Sequence, residues 1–110
     1  MNKDIATIWV EALRSGEYSQ GKNKLQDLNG FCCLGVLCNL GEKAGISVTK
    51  RDGRLVGNYL HSQKEIMEWS GINSPIGVYV GSEKTVSDLN DEGKSFEVIA
   101  DIIEQNWDKF

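Results

Sequence analysis

The sequence predicts an α+β domain: a small antiparallel sheet packed on about four helices around a buried, cysteine-rich helix. Apolar residues recur at helical spacing in "KDIATIWVEALRS" and again in "KSFEVIADIIEQNW", one stretch near each end of the chain. Between them, "FCCLGVLC" at residues 31 to 38 holds three cysteines and no polar side chain, so a helix there is apolar on every side and belongs inside a core. Strand–helix–strand alternation does not repeat, which argues against a parallel sheet. With 110 residues the chain has the size of a single domain, spanning 1–110.

The elements follow in order. Residues 3 to 15 form an amphipathic helix, with Ile5, Ile8, Trp9, Ala12 and Leu13 on one stripe. Asn2 caps its start, and Gly16 takes the left-handed position past its end. "EYSQGKNKLQDLNG" is a polar loop with turn chemistry in Asn29-Gly30. The cysteine helix runs from residue 31 to about 44 and stops at Gly45. Gly35 in its middle costs about 1 kcal/mol against alanine, so it marks a place where another backbone comes close. "ISVTKRDGRLVGNYL" reads as a hairpin turning at Asp52-Gly53. "HSQKEIMEWSG" is a short helix with a Ser62–Glu65 capping box, ended by Gly71. "SPIGVYVG" is a strand with Val78 and Val80 on one face, and Thr85 and Val86 open a partner strand. Ser95 caps the last helix, whose Phe96, Ile99, Ala100, Ile103 and Trp107 face inward.

Composition narrows the function classes. Apolar residues at 40% and charged residues at 25% are ordinary for a soluble globular protein. "MNKDIATIWVEALRSG" carries acids and lacks an apolar run, so it does not read as a secretory signal. No stretch nears the roughly 18 apolar residues that span a bilayer, and no membrane partner is expected. Three cysteines crowded into seven positions make a poor disulfide framework and point to reduced, cytoplasmic thiols. The net charge of −4 argues against general nucleic-acid binding. From Arg14 to Arg54, however, seven bases face four acids, a net of +3; elsewhere five bases face twelve acids, a net of −7. An acidic protein with a basic middle focuses a small anion there.

Three blocks carry a resemblance. "WVEALRSGEYSQG" at Trp9 to Gly21, "CCLGVLC" at Cys32 to Cys38 and "LNDEGKSFEVIA" at Leu89 to Ala100 together span nearly the full length. In them the chain is similar to a family of small proteins found in tailed phages and prophage regions. The resemblance implies a phage or prophage origin, an accessory role and action in the cytoplasm of a bacterial host. It brings no site residue with it.

The residues themselves offer one candidate site. "RSGEYSQGKNK" gathers Arg14, Ser15, Tyr18, Gln20, Lys22 and Lys24 into eleven residues. Arginine binds phosphate or carboxylate bidentately, lysine adds charge, and a tyrosine ring stacks on a base. Arg51 and Arg54 complete the wall if the hairpin folds over this loop. The leading expectation is therefore capture of a small anionic, nucleotide-like ligand, such as a signal used in bacterial immunity, without catalysis and without a cofactor. A protein-interaction module that inhibits a host protein through the acidic face of Glu97, Asp101, Glu104 and Asp108 is a second reading. A cysteine hydrolase is a third: Cys32 or Cys33 as nucleophile, His61 as base, Asn58 or Asp52 as orienter. Against it, cysteine among wholly apolar neighbours acts as a small hydrophobe. A metal site is not expected, because the cysteine spacings of one and five do not converge on zinc. Asp88, Asp91 and Glu92 fall short of a calcium loop, and Asp88 suits helix capping. Small ligand-capturing proteins often build sites between subunits, so a homo-oligomer is among the expected assemblies.

Overall fold

The interior is organised around one short helix whose first half is buried on every side. The computed structural model describes all of residues 1–110. Five α-helices and one two-stranded antiparallel sheet follow in the order α1 (Lys3–Arg14), α2 (Cys33–Lys43), β1 (Lys50–Arg51), β2 (Arg54–Leu55), α3 (Lys64–Ser70), α4 (Val86–Asp91) and α5 (Phe96–Asn106). Every residue from Cys32 to Cys38 is buried. The all-apolar run from Cys32 to Cys38 leaves this part of α2 no face that water would solvate better than neighbouring side chains do, whereas Asn39, Glu42 and Lys43 bring the end of the helix to the surface. α1, α3 and α4 each pack against α2, and α1 packs most extensively against α5. Trp9 locks two of these helices together by donating its indole N–H to the Cys33 carbonyl at 2.9 Å.

Helix ends fall where short polar side chains and glycines put them. Asn2 Oδ1 accepts from Ile5 N at 3.0 Å, and Ser95 Oγ accepts from Val98 N at 3.3 Å. Gly16 (φ +76°) and Gly71 (φ +72°) take the left-handed conformation after α1 and α3. The sheet is small: Lys50 pairs with Leu55 and Arg51 with Arg54. Asp52 (φ +53°) and Gly53 (φ +78°) form the two-residue turn that Asp-Gly favours. Gly35 has the role its cost suggested, because its bare Cα lies directly against the Leu25 carbonyl.

Three local expectations fail, each for a physical reason. Residues 76–80 do not form a strand. Gly77 (φ +77°) and Gly81 (φ +93°) break the extended run, leaving Val78 and Val80 exposed at 45% and 73% while Tyr79 stacks on Phe110 at 4.9 Å. Thr85 and Val86 open a helix, not a partner strand. Thr85 and Asp88 bond each other's backbone N–H groups in a capping box at 3.0 and 3.1 Å, and this starts α4, one helix more than the four expected. The Ser62–Glu65 box is absent because Leu60–Ser62 forms a 3₁₀ turn and α3 begins after Gln63. Gln63 is fully buried and mimics a strand for the hairpin base. Its side chain accepts from Thr49 N and donates to Thr49 O, both at 2.8 Å, and donates to Val56 O at 3.1 Å.

Candidate functional site

The stretch from Arg14, at the end of α1, to α2 divides at Gly21, and the two halves do different work. In the first half every candidate side chain is committed to the fold. Arg14 reaches across to α5, donating to Asp101 at 2.7 Å and to both Glu104 oxygens at 2.9 and 3.1 Å. The two carboxylates hold the guanidinium more firmly protonated, and Arg14 pulls the Glu104 carboxyl below its usual range. These side chains are solvent-exposed, so the pairing adds little stability. It nevertheless takes Arg14 out of the loop and occupies two of the three acids on α5, Glu97, Asp101 and Glu104; Asp108 lies in the 3₁₀ turn that follows. Ser15 Oγ donates to Ala12 O at 2.6 Å and accepts from Glu17 N at 3.1 Å, closing α1. Tyr18 packs edge-on to Phe31 at 5.4 Å, donates to Asn39 Oδ1 at 2.6 Å and accepts from Lys43 Nζ at 3.3 Å. Gln20 donates to Asn90 Oδ1 at 2.9 Å and to Lys94 O at 2.7 Å.

The second half meets the hairpin. Leu25 N donates to Gly57 O at 3.0 Å, and Leu55 N donates to Gln26 Oε1 at 3.1 Å. This seam brings Lys22 and Lys24 to one concavity with Arg54, and Lys24 to a second with Arg51 and Arg54. Two concavities open along it. One, of about 400 Å³, is lined by Lys22, Lys24, Gln26, Asp27, Arg54 and neighbouring loop residues including Leu28. The other, of about 230 Å³, is lined by Lys24, Gln26, Arg51, Asp52, Arg54 and the chain through Asn58. Four cations against two carboxylates give the seam a local positive excess in a chain of net charge −4. The ion pairs of the molecule are Arg14 with Asp101 and Glu104, Lys50 with Glu42, and Lys84 with Glu92; none uses a cation of the seam.

Asp27 lies in the same groove without neutralising it. Partial burial opposes its ionisation, but N–H groups of Asn29 at 2.7 Å, Gly30 at 2.8 Å and Lys22 at 3.4 Å outweigh that, helped by the Lys24 charge. The carboxyl therefore stays below its ordinary range and pins the loop from within. Sequence reading missed Asp27, although Asp-x-Asn-Gly is an Asx-turn signal that points to it. It also missed Asn90, which is fully buried and holds the loop from α4. Asn90 Oδ1 accepts from Gln20 Nε2 at 2.9 Å and Cys33 N at 3.1 Å, while Nδ2 donates to Gly21 O at 2.9 Å. No local pattern announces such a hub, since its partners lie 57 to 70 residues away in sequence.

The cysteines belong to the core. Burial pushes the Cys32 thiol up to about 11, and it raises Cys33 and Cys38 further. Thiolate chemistry needs the opposite shift. His61 is exposed, with its ring 6.1 Å from that of Tyr59. No three of the His, Cys, Asp and Glu side chains gather closely enough to hold a metal ion. The folded protein is expected to resist iodoacetamide at neutral pH, reacting at least about 100-fold more slowly than in denaturant. Rapid modification of one cysteine in the folded state, read by intact mass, would restore the thiol reading.

Fold and groove together define a small α+β domain whose cationic seam joins a hairpin to a loop. The chain belongs to the family described as Domain of unknown function (DUF8296), which matches residues 1–107. Neither a curated protein nor a solved structure matches it. No helix is long and apolar enough to cross a membrane.

Proposed function

We propose that this protein is a phage accessory protein that captures a small anionic ligand in the seam between residues 22–29 and the hairpin, in the cytoplasm of a bacterial host. One observation carries the reading: Lys22, Lys24, Arg51 and Arg54 line two adjoining concavities, with Lys24 and Arg54 in both, and none forms an ion pair within the molecule. Unpaired cations lining adjoining concavities lose little on receiving an anion, and arginine and lysine together suit phosphate. The amides of Asn23, Gln26 and Asn29 line the same groove and give a nucleotide-like ligand hydrogen-bonding partners. Leu28, 84% exposed, gives it an apolar surface. The Tyr18 ring stays packed against Phe31 and contributes no stacking there. The buried thiols favour capture over catalysis, and the phage resemblance favours sequestration of a bacterial immune signal as the biological purpose.

Native mass spectrometry of protein purified from a bacterial lysate tests this. The wild-type chain is expected to carry an anionic small molecule that denaturation releases. Lys24→Glu combined with Arg54→Glu removes two groove cations and adds two repulsive charges, so binding is expected to fall about 100-fold. Arg14→Ala is expected to retain the ligand, because Arg14 faces α5. Loss in Arg14→Ala with retention in the double variant would place the ligand elsewhere and sink the proposal.

A further inference from the structure

The two concavities of the seam are not independent, because Lys24, Gln26 and Arg54 line both. Lys22 belongs to the first alone and Arg51 to the second alone. From this juxtaposition we infer that the ligand carries two or more linked phosphoryl groups, one in each concavity, with Lys24 and Arg54 between them. This rests on the anion-capture reading and names the ligand class of that site.

The hairpin supplies an independent argument. Arg51 and Arg54 are direct cross-strand partners, held opposite each other by the Asp52-Gly53 turn. Like charges at directly opposed positions destabilise a strand pair. Hairpins usually place an acid or a neutral residue at one of the two positions; here both are arginine, and Asp52 at the turn pairs with neither. An anion seated against both guanidinium groups reverses that repulsion. A second anion arriving separately beside it would meet the charge of the first. Two phosphoryl groups joined covalently avoid that penalty in part, because the linkage pre-sets their spacing and only one molecule loses translational freedom. A single carboxylate engages one concavity and leaves the outer cation of the other idle.

Titration calorimetry with orthophosphate and tripolyphosphate, on the full chain and its Lys22→Gln and Arg51→Gln variants, tests the inference. Both substitutions are at exposed residues with no side-chain hydrogen bond or ion pair, so both variants are expected to fold, which circular dichroism checks. Tripolyphosphate is expected to bind at least about 100-fold more tightly than orthophosphate, and each variant to weaken it about tenfold. Each variant should leave orthophosphate within about threefold, since a single group still has the other concavity available. If only one of the two substitutions weakens tripolyphosphate, the ligand occupies one concavity and the inference falls while anion capture stands. If neither phosphate compound binds, both fall.

Discussion

Replacing Gly35 by alanine is expected to lower the thermal midpoint by roughly 10–20 °C, which is a loss of about 3 kcal/mol in a domain of this size. A Cβ at this position overlaps the Leu25 carbonyl oxygen and comes within 2.7 Å of its carbon. Both are backbone atoms, so no change of rotamer relieves the overlap. Leu25 is also fixed from several sides. Its carbonyl accepts from Cys32 N at 3.2 Å, its N–H donates to Gly57 O at 3.0 Å, and its side chain is fully buried. Pushing the loop off α2 therefore disturbs the helix start and the hairpin seam together. Alanine gains about 1 kcal/mol of helix propensity over glycine, an effect of opposite sign that is too small to prevail. Gly41→Ala on the same helix separates the two contributions. Its Cβ meets side-chain atoms only, Ile66 Cδ1 and the Trp69 ring at 3.2 Å, which can shift where a backbone carbonyl cannot, so its cost is expected to be smaller. Thermal unfolding by circular dichroism checks both variants. A Gly35→Ala protein as stable as the wild type would show that the close approach is not a constraint on this fold.

The close approach at Gly35 is legible in the sequence, whereas contacts between distant parts of the chain are not. A lone glycine in an apolar helix announces a close backbone, and the Asp52-Gly53 dipeptide announces its turn, because each signal is contained within a few residues. Strong periodicity likewise places α1 and α5. The segment from Ser74 to Thr85 misleads for the same reason. Its valines alternate like a strand, but whether Val78 and Val80 are covered depends on Tyr79 finding Phe110 from the far end of the chain. The candidate site divides in the same way. Counting cations selects Lys22, Lys24, Arg51 and Arg54 as readily as Arg14. Only the packing of α1 on α5, which brings Arg14 to Asp101 and Glu104, tells an occupied cation from a free one. Charge is a property of sequence; availability is a property of the fold.

Asn90 is where that long-range information concentrates, and Asn90→Leu is expected to cost on the order of 3–4 kcal/mol. Leucine fills a similar volume, so the change tests hydrogen bonding and not cavity formation. It leaves the Cys33 N–H at the start of α2 and the Gly21 carbonyl without partners in a region closed to water, and Gln20 Nε2 keeps only Lys94 O. Each orphaned buried group costs about 1–3 kcal/mol, against a modest gain from burying leucine's apolar surface. Asn90→Asp keeps an acceptor for Cys33 N and Gln20 but loses the donor to Gly21, and it places a second carboxylate beside Asp91. It should therefore fall between the wild type and leucine only if its charge is tolerated; below leucine, burial of that charge dominates. Urea unfolding measures the stabilities, and hydrogen exchange locates the effect. Amides from Gly21 to Cys33 are expected to exchange faster in Asn90→Leu, while those in the middle of α5 change only with global stability. Because Lys22 follows Gly21 directly, a loop loosened at Asn90 should also bind anions more weakly, although Asn90 itself lies outside the groove lining. Uniform acceleration across all helices, with no excess in the loop, would make Asn90 an ordinary core residue and leave the groove to be held by the hairpin seam and Asp27 alone.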